Sequence, residues 1–230
     1  MAVDFIPNDF INIGDFDIVG DEFTLMAWIN PDSFPEDPRI IAKATGTASA
    51  GNFWALLVDG PTVLEVRVNV GAGAGVFNSH QGITVPPTGV WQHVAGVYDG
   101  STLRVYLDGV QDGGTSAVLG TIRTGSQDVW LGANPNTASD RPWDGDIDDA
   151  RIYDRALTAE EILTIFTARG TDGIVDGLLS RYQLNEQPPG TVVPVTADFV
   201  KDAGPSKNDG DAVGGPIYSD SILRFRRKGL

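Results

Sequence analysis

The stretch Trp91-Gln92-His93-Val94-Ala95-Gly96-Val97-Tyr98-Asp99-Gly100-Ser101-Thr102-Leu103-Arg104-Val105-Tyr106-Leu107-Asp108-Gly109 decides the fold class. Side chains alternate in character from Trp91 to Tyr98 and again from Leu103 to Leu107, the period of an extended strand. Asp99-Gly100-Ser101 and Asp108-Gly109 are turn signals that bound the runs. On the first run Trp91, His93, Ala95 and Val97 share one face.

The same pattern extends outward. Phe23-Thr24-Leu25-Met26-Ala27-Trp28-Ile29, Val63-Leu64-Glu65-Val66-Arg67-Val68 and Asp128-Val129-Trp130-Leu131 also alternate. Asp59-Gly60-Pro61, Asp112-Gly113-Gly114 and Asp144-Gly145 punctuate the chain. Many short strands with Gly and Pro turns predict an all-β, two-sheet antiparallel β-sandwich of the jelly-roll kind. One short helix is expected. Thr158-Ala159-Glu160-Glu161 is a capping box ahead of Ile162, Leu163, Ile165 and Phe166, and Gly170 is its stop. Gly71-Ala72-Gly73-Ala74-Gly75 lacks the spacing of a phosphate loop and reads as a loop or strand kink.

The chain has 230 residues and 41% hydrophobic residues, enough for a full core in one large β domain. It has no cysteine, which excludes disulfides, thiolate catalysis and cysteine metal sites. The net charge is −15, so nucleic acid and anionic membranes are poor partners for the body of the protein. No apolar run suits membrane insertion, and no signal peptide is visible at Met1-Ala2-Val3-Asp4. Arg224-Phe225-Arg226-Arg227-Lys228 reverses the sign locally and forms a basic C-terminal tail over 221–230, suited to an acidic partner or neighbouring subunit.

Four motifs resemble laminin-G-like (LamG) jelly rolls of the concanavalin-A-like lectin/glucanase class. Phe23 to Pro31 resembles the opening strand, Trp91 to Gly100 the central signature, and Leu103 to Gly109 its hairpin partner. Gly145-Asp146-Ile147-Asp148-Asp149-Ala150-Arg151-Ile152-Tyr153-Asp154-Arg155-Ala156-Leu157-Thr158 resembles the closing strand and helix cap. They cover about residues 3–170 in the family's order. Gly177 to Glu186 resembles the strand that normally precedes this domain, and Asp202 to Gly210 the loop after it. The order implies a circularly permuted domain, with 1–170 as the jelly roll and 171–220 completing the same sandwich. The alternative is the start of a second repeat, which would leave apolar faces and strand edges uncovered.

A glucanase needs two carboxylates at a set separation. Glu22, Glu36, Glu65 and Glu186 stand alone in the sequence, and Glu160-Glu161 belongs to the helix cap, so no catalytic residue is assigned. Of the two histidines, His93 reads as buried and hydrogen-bonded, and His80 as an exposed loop residue. Calcium is a possible structural cofactor, because Asp140, Asp144, Asp146, Asp148, Asp149 and Asp154 crowd one stretch, although no EF-hand pattern is present. The resemblance implies a site made by Asp148 with Glu186, Asp202 and Asn208; Pro205 and Lys207 depart from the small residues usual in that loop. Sugar binding calls for an exposed aromatic platform beside polar groups. Trp143, with Asp140, Arg141, Asn134 and Asn136 nearby in sequence, and Trp54 are the candidates; Trp28, Trp91 and Trp130 are read as core. The resemblance implies a non-enzymatic, extracellular or surface-exposed module that recognises glycans or surface proteins. A virion structural protein, docking through its basic tail on other subunits, is the alternative.

Overall fold

The computed structural model describes residues 1–46, 51–60, 63–71, 77–135 and 140–223. The glycine run at 72–75, Asn136 and the basic tail residues from Arg224 onward lie outside the described residues.

The chain forms strands β1 (Ala2–Phe5), β2 (Phe10–Asp15), β3 (Glu22–Ser33), β4 (Arg39–Ala44), β5 (Asn52–Asp59), β6 (Val63–Val68), β7 (Asn78–Gln81) and β8 (Gln92–Asp99). There follow β9 (Thr102–Leu107), β10 (Val110–Gln111), β11 (Ser116–Ala117), β12 (Asp128–Leu131), β13 (Asp144–Tyr153), helix α1 (Ala159–Ala168), β14 (Leu178–Tyr182), β15 (Asp211–Val213) and β16 (Ile217–Ser219). They build two antiparallel sheets. A nine-stranded sheet runs β10-β9-β8-β3-β13-β1-β16, with β11 also on β9 and β14 also on β13; a seven-stranded sheet runs β15-β2-β12-β4-β5-β6-β7. This is the all-β sandwich with one helix that the alternation predicts.

The inner faces meet in one core that includes Val3, Phe5, Leu25, Ala27 and Ile29 from one sheet and Ile11, Ile41, Leu56, Val66 and Leu131 from the other. Gly96 marks a close approach between the sheets: a Cβ there would lie 2.7 Å from Val66 Cβ. The outer face of the nine-stranded sheet is covered by α1, where Ile162 and Ile165 pack with Met26, Ala95, Val97 and Tyr153. The capping box forms as read, with Thr158 accepting from Glu161 N–H; Arg169 closes the helix in the left-handed region. Residues 171–220 add strands to both sheets: β14 pairs with β13, β15 with β2 and β16 with β1. Tyr182, Leu184, Val193, Val200 and Tyr218 from this segment are fully or almost fully buried in the common core.

Candidate functional site

Strand register places two rows of side chains across the outer face of the seven-stranded sheet. Cross-strand partners point to the same side of a sheet. One row runs Asn12, Trp130, Ala42, Ala55, Arg67 and Ser79. The next runs Arg39, Leu57, Glu65 and Gln81. Trp130 sits on this face because its neighbours Val129 and Leu131 point into the core. Its indole stacks on Phe10 with ring centroids 3.7 Å apart and planes 13° from parallel. It stays half-buried, and lines a cavity of about 340 Å³ with Ser126, Gln127, Asp128 and Pro135. Asn12 Nδ2 donates to Asp128 Oδ2 at 2.7 Å. That bond leaves the other carboxylate oxygen to accept from a ligand.

Beyond the small side chains of Ala42 and Ala55, a charged network occupies the same face. Arg67 Nε donates to Glu65 Oε1 at 2.7 Å, and Gln81 Nε2 to Asp59 Oδ2 at 2.5 Å. The Arg67 guanidinium lies over the Phe77 ring at 4.5 Å. Asp59 is pushed up by burial and by its hydrogen bond to Asp37. Burial pushes Asp37 up too, but hydrogen bonds from Asp59 and Gly60 N–H, with Arg141, outweigh it and hold Asp37 low.

Several expected site residues stand elsewhere. Trp143 and Trp54 are both 0% exposed, so neither ring can meet a sugar. Trp143 N–H donates to the Gly132 carbonyl at 2.7 Å, and its ring meets Phe34 inside the core. Asn134 is fully buried. Asp140 is half-buried, and Arg141 Nη1 is held by Glu36 at 2.7 Å and Asp37 at 3.3 Å. Trp28 is core, but Trp91 and Trp130 are half-buried rather than interior. The signal for Trp130 was present in the alternation, since Val129 and Leu131 occupy the other face. His80 is buried on β7, with Nδ1 3.0 Å from Ser116 Oγ, not exposed in a loop. His93 is buried as read, between Trp28 and Phe166, but its Nδ1 has no partner among the described residues.

The residues that the resemblance assigns to calcium do not fit the ion as placed. Asp148 is buried on the nine-stranded sheet, accepting from Ser221 Oγ and from Asp149 N–H at 2.7 Å. Its pKa is driven well up by burial. Asp202 accepts from the N–H groups of Arg181, Gly204 and Asn208 at 2.7–3.0 Å, which ties the loop together. Glu186 accepts from Lys201 N–H and the Tyr218 hydroxyl. Asn208 offers its carbonyl to Tyr182 OH at 2.5 Å. Among the described residues no three His, Asp or Glu side chains group to hold a metal, and no helix is long and apolar enough to cross a membrane.

No curated protein matches the chain. Among solved structures, a Bacteroides ovatus protein provisionally described as carbohydrate binding aligns at TM-score 0.70 and 22% identity, over 96% of this chain and 60% of that one. The present chain therefore spans about 60% of that protein's length. The CBM40 of a Ruminococcus gnavus IT-sialidase, bound to α2,3-sialyllactose, aligns at TM-score 0.55 and 13% identity, over 65% of this chain and 84% of that one. A heptameric SAP-like pentraxin from Limulus polyphemus aligns at TM-score 0.50 and 18% identity, over 73% of this chain and 85% of that one. At these identities the likeness is one of fold. The family match runs over residues 7–163, more than half of the sequence, and the chain belongs to the concanavalin A-like lectin/glucanases superfamily.

Proposed function

We propose that this chain is a non-catalytic, extracellular glycan-binding module that takes a neutral sugar in the Trp130 cavity. The observation that carries the reading is the half-buried indole, backed by Phe10 at 3.7 Å and bordered by Asp128 and Gln127. An aromatic face takes the C–H side of a pyranose, while carboxylate and amide groups take its hydroxyls. The jelly-roll likeness to carbohydrate-binding structures supports the same reading. The net charge of −15 and the carboxylate of Asp128 disfavour an acidic glycan.

A glycan array probed with the intact chain, with and without chelator, tests the proposal. Binding to neutral glycans that persists in chelator is expected. Trp130→Ala should weaken it tenfold or more, a loss of about 1.4 kcal/mol per tenfold. Trp143→Ala should instead lower the melting temperature. A silent array, or equal affinity for the wild type and Trp130→Ala, defeats the proposal.

A further inference from the structure

Arg39 opens β4 and is 0% exposed, yet none of Nε, Nη1 and Nη2 meets an acceptor among the described residues. Arginine does not discharge itself under ordinary conditions, and an isolated charge is among the costliest groups an interior can hold. Its surroundings supply further donors. Asn134 is also 0% exposed, with both Nδ2 and Oδ1 unpartnered among the described residues, and the buried Nε of Arg141 likewise meets no acceptor there. The backbone brings the three together: Arg39 N–H donates to the Arg141 carbonyl at 3.0 Å, and Asn134 N–H to the Asp140 carbonyl at 3.1 Å.

The nearby carboxylates are engaged elsewhere. Glu65 holds Arg67, Glu36 holds Arg141, and Asp37 takes Gly60 N–H at 3.0 Å. Burial, then the charges of Arg67 and Arg141, bring the Arg39 guanidinium down to about 9 against the pull of Asp37 and Glu65. The Arg39 guanidinium is thus a buried charge whose three nitrogens meet no acceptor among the described residues.

We propose that Arg39, with Asn134 Nδ2 and Arg141 Nε, holds a small monovalent anion of the chloride class. The anion accepts from the guanidinium fork and neutralises an arginine that, among the described residues, is ion-paired to no carboxylate. Full burial limits the ligand to a small free ion, because a sugar carboxylate carries a ring that must stay near solvent. None of the three residues lines the Trp130 cavity, and the proposal stands whether or not that cavity takes a glycan.

Thermal unfolding of the intact chain tests this, with chloride raised from about 1 mM to about 300 mM and ionic strength held constant with sodium glucuronate. A saturable rise in Tm of about 3 °C with chloride is expected for the wild type. Arg39→Met fills similar space without the charge, and its Tm should not respond. A Tm that follows glucuronate instead, or a chloride response that survives in Arg39→Met, overturns the proposal. Chloride-35 NMR on the wild type decides the matter even if that variant does not fold. Excess line width that bromide titrates away is expected, and no excess width overturns the assignment.

Discussion

His93 sits buried between Trp28 and Phe166 at ring distances of 5.4 and 6.2 Å. Burial first, and the Arg151 guanidinium second, hold its pKa down at about 3. An unfolded histidine binds a proton below about pH 6.5, whereas this one stays neutral in the fold. Its contribution to stability is therefore intact above pH 6.5 and lost progressively as the pH falls towards 3. Between pH 7 and pH 5 the loss is on the order of 2 kcal/mol. Urea unfolding of His93→Leu at both pH values should show a flatter dependence than the wild type; an unchanged slope would refute the assignment. Trp130 and Trp143 show where reading at this scale stops. Alternation separates Trp130 from Val129 and Leu131, but does not say which face is the core when both are apolar. Trp143 lies in a segment rich in hydrogen-bonding groups, and only the turn that bonds its N–H to Gly132 swings the ring inward.

Elements were more legible than faces. β3, β6, β8, β9 and β12 fall where alternation puts them, because each has a wet or crowded side and an apolar side. The capping box specified α1 through two reciprocal hydrogen bonds that need only local sequence. β4 and β5 were harder to see. They are buried on nearly all positions, so Arg39-Ile40-Ile41-Ala42-Lys43-Ala44 and Asn52 to Asp59 do not alternate. The surroundings of the residues expected to hold calcium were hidden for a related reason. Sequence shows that Asp202 is a carboxylate in a loop, but not that its oxygens accept from three main-chain N–H groups. At the level of packed strands, Gly96 sets how closely β8 approaches β6. Gly96→Ala drives a methyl against Val66 and should cost about 1–3 kcal/mol in chemical denaturation. A variant as stable as the wild type would mean that the sheets can part without penalty.

Across the whole molecule, the segment 171–220 is woven into both sheets rather than appended to them. Deleting residues 177–230 removes β14, β15 and β16, together with the buried Tyr182, Val200 and Tyr218. The shortened chain should lose its cooperative thermal transition, and a transition near the wild-type temperature would show that the four sequence motifs before residue 171 suffice without it. The same weaving brings β1 beside β16, with Ala2 opposite Ser219 and Asp4 opposite Ile217. Residues 2 and 219 are thus only one strand spacing apart, about 5 Å. A pull on both flanks of this pair loads its hydrogen bonds one after another, from the Ala2–Ser219 end inward. Tethered that way, the domain unzips instead of shearing, and yields to mechanical tension far more readily than its thermal stability suggests.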